Sequence, residues 1–195
     1  MKTICKLLAD SHSDKHHIQN SNTNNGRLVH KYGPVYALIL HTLYNVVQRP
    51  LKILEVGVAT GASLVNWSEI EFVDRVVGID PGMDPCVEFN KKIDYTKHDG
   101  YNHTTIEYLK NKYTNFDLII DDGSHEWEHQ QFFLENYYNL LSEQGILLCE
   151  DVYTSNLSQV EDLKDTLNLY ILNLAHNINV DNNEVIVLRF KEPII

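Results

Sequence analysis

The sequence predicts one α/β domain built on a doubly wound, mostly parallel sheet. Short apolar runs of strand length alternate with stretches of helical periodicity, the pattern of βαβ crossovers. Two of those runs, Ile119-Ile120-Asp121-Asp122-Gly123-Ser124-His125 and Leu147-Leu148-Cys149-Glu150-Asp151, end abruptly in carboxylates. A third runs into a glycine-bearing turn, Glu55-Val56-Gly57-Val58-Ala59-Thr60-Gly61-Ala62-Ser63. Ligands of open parallel sheets bind at the carboxyl ends of the strands. These three endings therefore mark one functional edge.

The elements follow in order. Residues 10–30 are polar and lack a periodic apolar pattern, so 1–33 reads as a lid or loop segment ahead of a core over 34–195. Pro34 opens a helix in the favoured first-turn position. Val35, Leu38, Ile39, Thr42, Leu43 and Val46 recur at helical spacing until Arg49-Pro50 ends it. Strands are expected over 52–56, 75–79, 95–98, 116–120 and 146–149. Helices are expected over 62–70, 85–91, 104–112 and 126–141, the last carrying Phe133, Leu134, Tyr137 and Leu141 on one face. A further helix begins near Asn156. Residues 184–190 read as a strand after an Asp181-Asn182-Asn183 turn. Residues 169–180 read either as more helix or as an antiparallel partner strand, and a short strand near Ile178 is preferred. Nothing divides the chain into a second unit.

Composition narrows the function. At 195 residues the chain is long enough to bury a sizeable core, and 43% hydrophobic with 22% charged residues is ordinary for a globule. The formal charge of -11 argues against a duplex nucleic-acid partner. Cys5, Cys86 and Cys149 show no paired spacing, which points to a reducing compartment. The opening residues are too short an apolar run for a signal peptide, and no membrane-length segment follows, so a cytoplasmic location is expected. The ten histidines are scattered.

The glycine turn carries acid-x-Gly-x-Ala-x-Gly, with Ala59 where a dinucleotide fingerprint has its middle glycine. Gly57 and Gly61 allow a tight turn and close approach to a ligand. Glu55, at the head of the motif, points instead to the cationic end of S-adenosylmethionine. Asp80, closing Val77-Gly78-Ile79-Asp80, stands where a ribose-binding carboxylate is expected, and Asp99 could accept from an adenine amino group. At the other strand ends, Asp121, Asp122, Glu150 and Asp151 offer oxygens suited to a hard divalent cation. The imidazole of His125 beside them suits a proton acceptor.

Residues 52–151 resemble a class I S-adenosylmethionine-dependent methyltransferase, and more narrowly the macrocin and mycinamicin sugar O-methyltransferase family. The resemblance rests on Ser13-Asp14-Lys15, His30-Lys31-Tyr32, Leu54-Glu55-Val56-Gly57, Gly61-Ala62-Ser63-Leu64, the Asp121-Asp122-Gly123-Ser124-His125 run and Glu150-Asp151. It implies a seven-stranded Rossmann-like sheet and an S-adenosyl-L-methionine site formed by Glu55, Gly57, Ala59, Gly61, Ser63, Asp80, Asp99 and Asp121. It further implies Mg2+ on Asp122, Glu150 and Asp151, with His125 as the general base acting on a saccharide hydroxyl. Homo-oligomers are implied too. The chain is expected to depart from the macrolide sugar enzymes in the large N-terminal extension that they carry.

Other readings compete residue by residue. Asp122 and Asp151 could cap helices, and His125 could simply open one. His129 reads as solvated or supporting, Trp127 as packing, and His16-His17 as a loop feature. A cephalosporin hydroxylase-like Rossmann protein and a non-catalytic cofactor-binding module are the alternative functions. A nicotinamide oxidoreductase is disfavoured by the missing third glycine.

Overall fold

The structure is a computed structural model that describes residues 32–82, 88–174 and 184–191. Residues 1–31 of the lid segment expected over 1–33, the turn at 181–183 and the strand near Ile178 lie outside the described residues, while Tyr32 and Gly33 form the start of the first helix. The described chain runs α1 (Gly33–Val47), β1 (Leu51–Val56), α2 (Ala62–Glu69), β2 (Val73–Ile79), β3 (Ile93–Thr96), α3 (His103–Lys112) and β4 (Phe116–Asp121). It continues through α4 (Trp127–Asn136), β5 (Leu141–Val152), α5 (Leu157–Leu167), β6 (Leu169–Asn173) and β7 (Val185–Phe190).

The seven strands form one sheet in the order β3-β2-β1-β4-β5-β7-β6. The first five pair in parallel, and β7 runs antiparallel to both β5 and β6. This is the doubly wound, mostly parallel architecture that the alternating pattern predicts. The strand order reverses between β1 and β4, which are neighbours in space although two strands intervene in sequence. That reversal opens a crevice at their carboxyl ends.

Side chains alternate across the strands, and two cores result. Ile53, Leu118, Ile120 and Leu148 pack with Tyr36, Leu40 and Leu43 of α1 and with Leu64 and Trp67 of α2. Leu54, Ile119, Leu147 and Cys149 pack on the opposite face with α3, α4 and α5. Strands buried on both faces read as unbroken apolar runs, which is why they stood out in the sequence.

Several expectations are corrected. The buried face of α1 is Tyr36, Ile39, Leu40 and Leu43. Leu38 and Val46, expected in that stripe, face outward. Residues 88–91, the described part of the helix expected over 85–91, are not helical, and β3 lies two residues earlier than expected. The helix expected over 126–141 ends at Asn136, a 3-10 turn follows over Tyr137–Leu140, and Leu141 already belongs to β5. The antiparallel partner strand occupies Leu169–Asn173. No helix among the described residues is long and apolar enough to cross a membrane.

At the amino ends of the strands one carboxylate ties three elements together. Asp117 is fully buried and accepts a two-pronged pair from Arg49, Nη1 to Oδ2 and Nη2 to Oδ1, each at 2.8 Å. It also accepts from the Lys52 backbone N–H at 2.9 Å and the Ser142 hydroxyl at 2.7 Å. The entries to β1, β4 and β5 are thereby fixed in register. Asp117→Ala leaves these donors without their acceptor and should lower unfolding stability by about 3 kcal/mol, the low end for breaking a buried pair because Arg49 is partly exposed. Urea denaturation measures it, and a loss near zero would remove this tie from the account.

Candidate functional site

The crevice begins where β1 ends. The chain passes through Gly57 (φ +87°), Ala59 (φ +47°) and Gly61 (φ +82°) before α2 starts. Gly57 is required by space as well as conformation: a Cβ there would lie 2.2 Å from the Asp122 carbonyl oxygen and 2.5 Å from the Gly123 Cα. The glycine loop and the acidic loop after β4 are thus pressed together. Asp80, just past β2, reaches under the glycine loop. Its Oδ2 accepts from the backbone N–H groups of Val58 at 3.0 Å and Ala59 at 3.2 Å. Its Oδ1 accepts from the Gly82 N–H at 2.9 Å. Beyond it the chain is open, since a Cβ on Gly82 would meet nothing within 4 Å.

The other expected cofactor residues divide. Asp99 is exposed in the loop after β3, its Oδ1 accepting from the Tyr101 N–H at 2.9 Å. Ser63 is buried in the first turn of α2. Glu55 is fully buried beneath the loop, with Oε2 accepting from the Trp67 indole at 2.9 Å. This bond fastens α2 to β1.

Asp121 and Asp122 point to opposite sides of the sheet. Asp121 is buried and accepts from the Tyr101 hydroxyl at 2.7 Å. Burial pushes its carboxyl up to about 7. Asp122 lies just beyond the strand, its N–H bonded to the Val56 carbonyl at 2.8 Å. His125 follows with φ +60°, a left-handed conformation in which His is enriched.

On the neighbouring strand the pairing of β5 with β7 is interrupted between Cys149 and Val152. Asp151 adopts φ +54° at this bulge. Bulges re-aim side chains next to functional sites, and here Asp151 swings towards the β4 loop. Potential ligand atoms of Asp122, His125 and Asp151 all lie within 4.8 Å of one another. His125 Nε2 is 3.7 Å from Asp151 Oδ2. Glu150 is not in that trio. Its buried carboxylate accepts from the Tyr36 hydroxyl. Burial first, then the charges of Glu150, Asp122 and Glu55, hold that hydroxyl well above its ordinary pKa.

Of four residues here, Tyr36, Gln130 and Tyr101 were not singled out from the sequence, and Tyr32 entered there only within the His30-Lys31-Tyr32 run. Tyr32 donates to Asp151 Oδ1 at 2.6 Å and Tyr36 to Glu150. Gln130 of α4 donates to the carbonyls of Glu150 and Asp151, at 3.1 and 3.4 Å, which the bulge removes from the sheet ladder. Tyr101 accepts from the Ser124 N–H at 3.2 Å while stacking on His129, with ring centroids 4.2 Å apart. The His129 Nδ1 lies 2.7 Å from the Ser124 hydroxyl, so this residue braces the loop. Trp127 is half-buried and packs, as expected. The available cues were the His30-Lys31-Tyr32 run and the i,i+4 spacing of Tyr32 and Tyr36.

Comparison with solved structures matches this arrangement over nearly the whole chain. MycE methyltransferase from the mycinamycin biosynthetic pathway, in complex with Mg, SAH and mycinamycin VI, superposes with a TM-score of 0.72 at 17% identity. The match covers 96% of this chain and 53% of that one. The fold is that of a class I methyltransferase. Human methyltransferase-like protein 13, in complex with SAH, shares the methyltransferase fold at a TM-score of 0.55 and 16% identity, covering 80% of this chain and 78% of that one.

By sequence, 8-demethyl-8-(2-methoxy-alpha-L-rhamnosyl)-tetracenomycin-C 3'-O-methyltransferase of Streptomyces olivaceus is 24% identical over 139 residues. That alignment takes in 66% of this chain and 34% of the relative. The chain thus spans about a third of the length of that curated relative and about half that of MycE. No family model matches the chain.

Because this methyltransferase-fold site depends on two loops in contact, Gly57 and Gly82 should respond oppositely to alanine. Gly57→Ala forces a left-handed Cβ into the Asp122 backbone and should cost about 2–3 kcal/mol of stability. Gly82→Ala should fall within about 0.5 kcal/mol of wild type. Thermal unfolding of both variants makes the comparison, and equal melting temperatures would show the loops are not in such contact.

Proposed function

We propose that the chain is an S-adenosylmethionine- and divalent-cation-dependent O-methyltransferase acting on a hydroxyl of a sugar or glycosylated small molecule. One observation carries this reading: Asp122, His125 and Asp151 converge within 4.8 Å at the carboxyl ends of β4 and β5, beside the glycine loop. The donor set fits a hard cation. Mg2+ binds oxygens at about 2.0–2.1 Å, so ligands across one ion stand about 4 Å apart. The relatives' names support the same assignment, since MycE is described with Mg and SAH and the Streptomyces protein as a sugar O-methyltransferase.

Each residue then has a role. The backbone turn from Gly57 to Gly61 admits the cofactor close to the start of α2. Asp80, just past β2, is held under the glycine loop by backbone N–H groups of Val58, Ala59 and Gly82. It would receive the ribose hydroxyls. Asp99 would receive the adenine amino group, and Asp121 would brace the cofactor side through Tyr101. Asp122 and Asp151, with Glu150 behind them, would hold the cation, which when bound would acidify and orient a pair of substrate hydroxyls. S-adenosylmethionine, when bound, supplies the methyl group, its S–C bond breaking as the new O–C bond forms.

His125 completes the chemistry by accepting the hydroxyl proton. Its imidazole is partly exposed, so the proton can leave to solvent. Its Nε2 lies 3.7 Å from Asp151 Oδ2, at the mouth of the same cluster. A hard cation prefers the carboxylates, which leaves the imidazole for this work.

Three measurements test the proposal. Asp80→Ala should weaken S-adenosylhomocysteine binding by about 1.5–3 kcal/mol in calorimetry, the loss of charge-assisted hydrogen bonds. His125→Ala should lower turnover by about 10²–10⁴-fold with cofactor binding intact. Methyl transfer to a sugar-diol acceptor should stop in excess chelator and return with Mg2+. Full activity in chelator would contradict the cation role, and an unimpaired His125→Ala enzyme would contradict the base.

A further inference from the structure

Two loops at the carboxyl edge of the sheet border an open cleft of about 370 Å3 whose lining includes the proposed base. That volume lies within the range of about 300–1,000 Å3 usual for small-molecule sites. His125, Glu126, Trp127 and Glu128 come from the loop after β4 and the first turn of α4. Tyr153 and Asn156 come from the segment between β5 and α5. That segment is a 3-10 turn over Thr154–Asn156, and the Asn156 N–H bonds the Tyr153 carbonyl at 2.9 Å. Tyr153 is thereby held two residues past Asp151, with 39% of its surface exposed. Trp127 packs against the core on the α4 side, which anchors its ring. Glu126 stands at the start of α4, yet its side chain makes no capping bond, and Glu128 follows in the first turn. Both are exposed. None of the described lining residues is a lysine or an arginine.

We infer that this cleft is the acceptor subsite: Tyr153 and Trp127 receive the face of a sugar ring, while Glu126 and Glu128 select uncharged or cationic saccharides over anionic ones. The inference rests on the sugar O-methyltransferase reading proposed above and adds its charge selectivity. A sugar ring carries C–H groups on its faces and hydroxyls around its rim. The negative face of an aromatic ring attracts the first. The Asn156 amide and the two carboxylates offer hydrogen-bond partners to the second. A uronate or a sugar phosphate would meet two carboxylates and no cationic partner in the lining. Such like-charge juxtaposition is how interfaces reject wrong partners. The device also has a purpose at this edge. A divalent cation on Asp122 and Asp151 would draw any anion towards His125, and the two glutamates oppose that. Because both are exposed, the selection is modest in size and weakens with salt.

The test uses the full chain with S-adenosylhomocysteine and Mg2+ and reads binding by saturation-transfer nuclear magnetic resonance. The probes are methyl rhamnoside, methyl glucosaminide and methyl glucuronide, which are neutral, cationic and anionic at neutral pH. At low salt the wild-type chain should bind the first two about 3–10-fold more tightly than the glucuronide, the size expected of two exposed charges. The gap should narrow as salt is added. Glu126→Gln combined with Glu128→Gln should close it by strengthening glucuronide binding. Tyr153→Ala should weaken rhamnoside binding by about 3–10-fold, the loss of one ring contact. Tyr170→Ala is the control: it removes another exposed aromatic, on β6 and outside the cleft lining, and should leave all three affinities unchanged. Equal wild-type affinity for rhamnoside and glucuronide overturns the inference. So does a gap that survives the double glutamine variant, an unchanged Tyr153→Ala, or an equal loss in Tyr170→Ala. If the wild-type chain binds S-adenosylhomocysteine but none of the three glycosides, the sugar-acceptor reading beneath the inference is overturned instead.

Discussion

β1, β4 and β5 lie side by side and run the same way, so the carboxylates at their ends have nowhere to disperse. Glu55, Asp121, Asp122, Glu150 and Asp151 are drawn to one edge of the sheet by topology alone. Gathering ionised carboxylates in a partly desolvated place is unfavourable unless each finds donors or a counter-charge. Much of the local structure can be read as the response to that constraint. Asp121 turns to the opposite face and takes the Tyr101 hydroxyl, Glu55 takes the Trp67 indole, and Asp80 takes three backbone N–H groups. Glu150 takes Tyr36 of α1, and Asp151 takes Tyr32 at the cap of that helix.

That response also explains the unusual backbone. Three of the non-glycine residues at positive φ, Ala59, His125 and Asp151, belong to the site itself. Such conformations are uncommon and persist where the surroundings fix them. Here Gln130 receives the carbonyls freed at the β5 bulge, and Tyr101 with His129 braces the loop that carries Ser124 and His125. The closeness of the glycine loop to the Asp122 backbone makes the two loops one unit. A methyl donor over one and an acceptor over the other would therefore be held in fixed relation, which is the geometric requirement of a group transfer.

The sheet was legible because strands buried on both faces must be apolar throughout, and their acidic endings mark where burial stops. The glycine turn and Asp80 were legible for a related reason, since both follow strand ends. Boundaries set by tertiary contact were not. Ser142, Glu143 and Gln144 look like a loop, yet Leu141 pairs with Phe116 and Asp117 receives the Ser142 hydroxyl, so β5 begins five residues before its apolar run. The inward stripe of α1 was displaced from the sequence expectation because Tyr36 has an acceptor inside the molecule, while Leu38 has no place there. Periodicity counts apolar character and gives no weight to a phenol whose hydroxyl has a buried carboxylate waiting. The bulge at Asp151 is likewise invisible to pattern, because only the pairing of β5 with β7 reveals it.

The central claim is that the edge formed by β1, β4 and β5 holds a methyl-donor cofactor and a divalent cation in adjacent places. The most direct measurement is a crystal structure of the chain grown with Mn2+ and S-adenosylhomocysteine, with anomalous maps collected at the manganese edge. The account predicts one anomalous peak between the Asp122 and Asp151 carboxylates, with the nucleoside lying over Gly57 to Gly61 and its ribose on Asp80. A bound nucleoside elsewhere, or manganese remote from both aspartates, would contradict it.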